Sequence, residues 1–232
     1  MYLKIMKCKF YLFLLFSPFL IISQNNNLIE KKPNIPNDVK WVVQSSEYVF
    51  LCEQIYRTAW LSIKHRLMVM DNTVIIMDLD ETVLDNSEYQ INLFVKGEEY
   101  KSNSWNRFVK KEISTLVPGA KEFIKKYKKN INAKIIYISN RDASTLEATK
   151  NNMKALGIYH EEDIFLLKKD KNDSKVIRRE EVFSGTGRMK KYGSQKIIAY
   201  FGDAAGDFPN DKKYEFGINK FIFPNPMYGE WD

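Results

Sequence analysis

The sequence predicts an α/β fold in which a parallel sheet is flanked by helices, and three observations lead there. Short apolar runs recur along the chain, at 74–77, 134–138, 163–167, 196–201 and 220–223. The first, Val74 to Met77, is aliphatic at every position, as expected of a strand covered on both faces. Between them lie segments with helical periodicity, and such alternation is satisfied most simply by right-handed crossovers into a parallel sheet. With 44% hydrophobic residues in a chain of 232, one substantial core can be buried.

The first 23 residues stand apart. Lys4, Lys7 and Lys9 precede a continuous apolar segment, Phe10 to Ile22, followed by Ser23. A basic stretch, a short hydrophobic one and a small residue form the pattern of a secretory signal peptide. Thirteen apolar residues are short for a spanning helix, and an uncleaved membrane anchor is the competing reading. Cys8 precedes the apolar segment, where a lipid-bearing cysteine would have to follow it. A secreted or periplasmic protein with no stable membrane span after cleavage is therefore expected.

Residues 24–37 are polar and contain prolines, as in a linker. From 38 to 70 apolar and aromatic positions recur at helical spacing: Trp41, Tyr48, Cys52, Ile55, Tyr56, Ala59, Trp60 and Ile63. One long helix or two shorter ones fit. The first strand follows and ends at Asp78. Residues 86–117 form a mixed insertion with Trp105, Phe108 and Val109 on a short helix. Together with the 38–70 helices, it is expected to make a small cap-like region beside the site. Pro118 leads a helix running to about Tyr127. The second strand ends in Ser139, Asn140 and Arg141, and the helix after it, from about Ala143, stops at Gly157. The third strand runs into the polar stretch KKDKNDSK. The fourth ends in Gly202 and Asp203, with Asp207 four residues on, and the last runs into PNPMYGEWD.

Composition excludes several classes. The net charge is +7, and loss of residues 1–23 with their three lysines lowers it to +4. Lysine clusters such as Lys125, Lys126, Lys128 and Lys129 are spread over helical periods as solvated faces, and no nucleic-acid-binding pattern is present, so no nucleic-acid polymer is expected as partner. After signal cleavage Cys52 is the single cysteine, which precludes an internal disulfide and suits packing as a small hydrophobe. His65 and His160 sit in unrelated contexts and read as ordinary surface or satisfied residues.

The chemistry is concentrated at 74–88, VIIMDLDETVLDNSE, where an apolar strand delivers Asp78 and Asp80 to its carboxyl end. Parallel sheets bind ligands beyond that edge. Two residues apart on extended backbone, the carboxylates point to the same side. At about 4 Å and an effective dielectric near 20 their repulsion is about 4 kcal/mol, so a cation or a proton must intervene. Other strand ends bring a Ser-Asn-Arg group, a lysine-rich loop and two further aspartates to the same edge. Each is unremarkable alone; their order makes coincidence a poor explanation.

DLDETVLDNS, ISNR, the lysine loop and the Asp203/Asp207 pair resemble the four motifs of the haloacid dehalogenase (HAD) superfamily. Within it the chain is similar to the class C acid phosphatases, a group of secreted bacterial acid phosphatases and 5′-nucleotidases. WVVQSSEYVFLCEQIY, VPGAKEF, LLKKDK and FPNPMYGEWD extend the resemblance over nearly all of the chain after residue 40.

The resemblance implies a HAD-like fold and a role for each motif. Asp78 would be the nucleophile that forms an aspartyl phosphate, ionised well below neutral pH as an ordinary aspartate is. Asp80 would be the general acid and then base. One magnesium ion would be held by Asp78, the backbone carbonyl of Asp80 and Asp203, with Asp207 orienting its waters. Ser139 and the backbone amide of Asn140 would bind phosphoryl oxygens, and a lysine would offset developing charge. Lys175 is the choice, with Lys168, Lys169 and Lys171 close by. Arg141 could assist with phosphate or pair with an acid. The implied substrate is a small phosphomonoester, with 5′-nucleotides a further inference from the family. Tyr89, Trp105 and Tyr228 are candidates for stacking on a base, although each fits a core position as well. A phosphotransferase using the same intermediate, and an idle phosphate-ester-binding or storage protein, are the alternatives.

Two departures from the family pattern stand out. Ala204 follows Asp203 where the family usually has Asn, which removes one supporting hydrogen bond. The stretch from Lys175 to Asp203 is long, with SGTGRMKKYG as an extra segment. Its two glycines lack the setting of a phosphate cradle, and a flexible surface loop is expected there.

Overall fold

The structure, a computed structural model, describes residues 34–69, 73–130 and 133–229. The signal-peptide segment 1–23, most of the 24–37 linker and the final EWD lie outside the described residues. Pro33–Asp232 forms one compact unit. Its centre is a five-stranded, all-parallel sheet of β1 (Thr73–Met77), β4 (Lys134–Asp142), β5 (Ile164–Lys168), β6 (Lys196–Gly202) and β7 (Lys220–Ile222), in the order β5-β4-β1-β6-β7. The two remaining strands, β2 (Leu84–Asp85) and β3 (Thr115–Leu116), form a short antiparallel pair. The five strands are those expected from the apolar runs, with β4 four residues longer because Ser139–Asp142 continue it.

β1 is buried at all five positions, and its side chains divide between the two faces of the sheet. Ile75 and Met77 enter one core with Tyr56, Phe123, Tyr137 and Phe201, whereas Val74 and Ile76 enter the other with Ile136, Val182 and Met189. Alternation of side chains along an extended strand is the cause. Aliphatic residues are needed at every position because neither face is wet.

Two helices, α1 (Asn37–Gln44) and α2 (Ser46–Val69), occupy the 38–70 region. Ser45 separates them: its Oγ accepts the Tyr48 amide at 3.0 Å and so caps the first turn of α2. Cys52 and Ala59 are fully buried on the face of α2 that meets the core. The helices part company in their packing. α1 lies on α3 (Ser87–Lys96) of the insertion, and α2 lies on α5 (Ala120–Tyr127), β6 and β7 of the main layer.

The insertion begins and ends at the β2/β3 pair, which closes its base. Above it α3 and α4 (Ser102–Val109) enclose a small core of Tyr89, Leu93 and Phe108 with Trp105 against it. α6 (Leu146–Leu156) follows β4 after one 3₁₀ turn and ends at Gly157 as expected. α7 (Lys175–Ser184) falls where the polar sequence carries no expectation of an element. Its pattern is inverted: Arg178 and Val182 are buried while Val176, Ile177 and Phe183 face outward. Among the described residues no helix is long and apolar enough to cross a membrane.

Candidate active site

The carboxyl ends of β1, β4 and β6 and the first turn of α7 meet below the insertion. They line a pocket of about 590 Å³ with Asp78, Asp80, Asn140, Lys175, Asp203, Tyr89, Trp105 and Tyr228 among its walls. Asp78 follows β1 directly, and its amide donates to Phe201 O at 2.9 Å, so the neighbouring strand fixes where it emerges.

Each of the two aspartates, expected to need a cation or a proton, has a cationic side chain beside it. Lys175 Nζ donates to Asp78 Oδ1 at 2.7 Å and also to Asp207 Oδ1. Of the lysines between 168 and 175, it alone is among the residues lining this pocket. Asp80 Oδ1 accepts from Arg141 Nε at 2.8 Å and Asn86 Nδ2 at 3.0 Å, and its Oδ2 accepts from Ser139 Oγ at 3.2 Å. Arg141 is thus the partner of an acid. It is itself buried, and its guanidinium also donates to Thr149 and Asn86 and lies 5.7 Å from the Trp105 ring centroid. Ser139 is fully buried with its hydroxyl on Asp80, whereas Asn140 is exposed and forms the pocket wall at this strand end.

At the end of β6, Asp207 turns back on the loop. Its Oδ2 accepts the amides of Asp203 at 3.1 Å and Ala204 at 3.0 Å. That approach requires glycine at 202, where a Cβ would lie 2.3 Å from Asp207 Cβ and Oδ2. The hydrogen bond that Ala204 cannot provide arrives from elsewhere: Asn225 Nδ2 donates to Asp203 Oδ2 at 2.8 Å. Asn225 Oδ1 in turn accepts the Met227 amide, tying this contact to the tail that carries Tyr228. The PNP sequence holds the asparagine in plain view, but nothing in the spacing says that it reaches Asp203.

The electrostatics differ from the expectation for Asp78. Burial pushes its carboxyl well above the ordinary range, opposed by Lys175 and reinforced by Asp207, Asp203 and Asp80. Asp203 is raised to about 6, first by burial and then by Asp207, against the Asn225 hydrogen bond. Burial acts to lower Lys175, but Asp78 and Asp207 outweigh it and hold the ammonium charged. An excess of carboxylate crowded into a buried site is relieved by a divalent cation.

The donor set fits such an ion. Asp78, Asp203 and Asp207 can each bring a carboxylate oxygen within 4.8 Å of the others. All-oxygen donors in small number suit a hard cation that keeps some of its waters. Asp207 is already committed to Lys175 and two amides, which leaves Asp78 and Asp203 as the side chains that would hold the ion. The Asp80 carboxylate is engaged by Arg141, Asn86 and Ser139.

The insertion supplies an aromatic wall. Tyr89 meets Trp105 edge to face at 5.0 Å and Phe108 at 5.3 Å, and its hydroxyl bonds to Ser104 Oγ at 2.8 Å. Tyr89 is buried in this small core, Trp105 is half-buried, and Tyr228 is exposed on the opposite tail. All three border the pocket, as does the exposed Tyr100.

A parallel sheet whose strand ends gather paired aspartates, an ammonium and an oxygen-rich cation site defines the protein class: an α/β protein of the HAD type. Over residues 22–231 the chain matches the model of the HAD superfamily, subfamily IIIB (acid phosphatase), and it belongs to that family of phosphomonoester hydrolases. Its structure is similar to the class C acid phosphatase of Bacillus anthracis, both as such and with tungstate bound. Each comparison has a TM-score of 0.70 and 30% identity, and covers 84% of both chains. The stem 31 kDa glycoprotein of Glycine max is 26% identical over 164 residues, which span 69% of this chain and 61% of that protein.

Proposed function

We propose that the protein is a secreted, magnesium-dependent acid phosphatase that hydrolyses small phosphomonoesters, nucleoside 5′-monophosphates among them, through an aspartyl phosphate on Asp78. The observation that carries this reading is the convergence of Asp78, Asp80, Lys175 and Asp203 on one pocket, with Lys175 bonded to Asp78.

An oxygen of Asp78 attacks phosphorus, and the ester P–O bond breaks as Asp80, which enters the step in its protonated form, gives that proton to the leaving alkoxide. Asp80 then takes a proton from water, whose oxygen attacks phosphorus and releases Asp78. Lys175 offsets charge on the phosphoryl oxygens, with Asn140 binding them at the pocket wall and Ser139 holding Asp80 from below. Bound magnesium supplies Lewis-acid stabilisation of phosphoryl charge and keeps Asp78 and Asp203 ionised. Of the three aromatic candidates, the half-buried Trp105 and the exposed Tyr228 offer ring surface on which a nucleobase can stack, with the buried Tyr89 backing Trp105, which supports the nucleotide preference.

The test is phosphate release by protein lacking residues 1–23 from a panel of 5′-nucleotides and aryl phosphates, with magnesium and with chelator. Release that requires magnesium and is faster with nucleotides is expected; no release from any substrate would defeat the reading. The 1–23 segment is proposed as a cleaved export signal, and the mass of the exported protein distinguishes cleavage from a retained anchor.

A further inference from the structure

The extra segment SGTGRMKKYG, expected as a flexible surface loop, is instead tied inward. It forms a 3₁₀ turn, Gly187–Met189, whose Met189 is fully buried in the core beneath β4 and β5. Arg188 beside it makes a fork on Asp173, with NH1 to Oδ2 at 2.9 Å and NH2 to Oδ1 at 3.0 Å. Its Nε donates to Glu181 Oε2 at 2.7 Å and its NH1 to Leu167 O at 3.1 Å. Glu181 comes this close only because residue 187 is glycine: a Cβ there would lie 2.7 Å from the carboxyl group.

Asp173 passes the contact onward. Its Oδ2 accepts the Lys169 amide at 2.9 Å, its Oδ1 lies 3.4 Å from Arg178 Nε, and it directly precedes Ser174, the cap residue of α7 whose next neighbour is Lys175. Burial acts to raise Asp173, yet Arg188, the Lys169 amide and Arg178 together hold it below the usual range. Arg178, fully buried, donates NH2 to Asn140 Oδ1 at 2.7 Å and NH1 to Ser139 O and to Leu166 O. One chain of hydrogen bonds and an ion pair therefore runs from Arg188 through Asp173 and Arg178 to the strand end that carries Ser139 and Asn140. A branch through Ser174 reaches Lys175.

We propose that Arg188 is a positioning residue for phosphate binding: the segment 184–193 braces Asn140 and Lys175 from behind through Asp173 and Arg178. This rests on the reading of Asn140 and Lys175 as phosphate-binding groups. Arg188, Asp173 and Arg178 touch neither Asp78 nor Asp203, so loosening them acts first on Asn140 and Lys175 and reaches the metal side only through the contacts of Lys175 with Asp78 and Asp207. A guanidinium fork is needed, because a lysine ammonium cannot span both Asp173 oxygens.

The experiment compares Arg188→Ala, Arg188→Lys, Lys190→Ala and Lys175→Ala with the unaltered protein, measuring affinity for inorganic phosphate and, separately, for magnesium, together with KM and kcat. Loosening a supporting contact by a fraction of an ångström costs about tenfold or more at a reacting centre. For Arg188→Ala the expected result is a rise of about tenfold in the phosphate dissociation constant and in KM, larger than any change in magnesium affinity. Arg188→Lys should lie between, and Lys190→Ala, on the exposed side of the same segment, should match the unaltered protein. If Arg188→Ala does not fold, Arg188→Lys alone carries the comparison. Unchanged phosphate affinity in the folded Arg188 variants, with Lys175→Ala impaired, overturns the brace and leaves the site reading intact. Unchanged phosphate affinity in Lys175→Ala overturns the site reading itself.

Discussion

Replacing Asn225 with alanine removes a hydrogen bond of 2.8 Å to Asp203 Oδ2 and leaves that carboxylate with less to favour its ionised form. A hydrogen bond to a charged group contributes about 1.5–3 kcal/mol, and for a half-buried carboxylate the lower end applies. One pKa unit corresponds to about 1.4 kcal/mol, so Asp203, already raised to about 6, should move up by about one unit. The sign follows directly. Magnesium competes with protons for Asp203, so a higher pKa weakens binding on the acid side and moves the pH midpoint of binding upward. The ionised fraction then falls about fivefold at pH 6 and about twofold at pH 7. Calorimetric magnesium titrations from pH 5 to 8 read this directly. A midpoint that stays where it is in Asn225→Ala would refute the argument that the tail supplies the support Ala204 cannot. A uniform loss at all pH values would show that the bond serves geometry and not charge.

Two other substitutions test neighbouring features. Gly202→Ala places a Cβ 2.3 Å from Asp207. It should cost about 1–3 kcal/mol in thermal or denaturant unfolding, as overpacking does, and depress phosphatase activity by displacing Lys175's partner. Trp105→Ala removes half of the edge-to-face pair with Tyr89 and one wall of the pocket. A stacked ring contributes about 0.5–1.5 kcal/mol, so KM for 5′-nucleotides should rise about two- to tenfold while that for a simple alkyl phosphate stays level.

The sheet was legible because burial on both faces leaves a chain almost no choice but aliphatic residues, as at Val74–Met77. Asp78, Asp80 and Asp203 were legible because a charged residue straight after such a run is otherwise unexplained. What lay hidden depends on contacts between distant positions. Arg141 meets Asp80 across 61 residues and Asn225 meets Asp203 across 22, and neither spacing leaves a local trace. α7 was masked for a different reason: its buried face carries Arg178, so its hydrophobic pattern points outward. The extra segment read as loose because its glycines and lysines are loop residues by composition. Its hold on the fold comes from one buried methionine and one arginine fork. The ionisation of Asp78 followed the ordinary value in sequence, whereas burial among three other carboxylates reverses that expectation.

In the proposed mechanism Asp78 becomes covalently phosphorylated. Acid quench of the magnesium-loaded protein within the first turnover on a labelled phosphomonoester, followed by mapping of the label to a peptide, tests it most directly. Label is expected on the peptide containing Asp78, as an acyl phosphate that hydroxylamine removes, and none of it in Asp78→Asn, which should also release no phosphate. Turnover by Asp78→Asn at the rate of the unaltered protein, or label fixed on another residue, would contradict it.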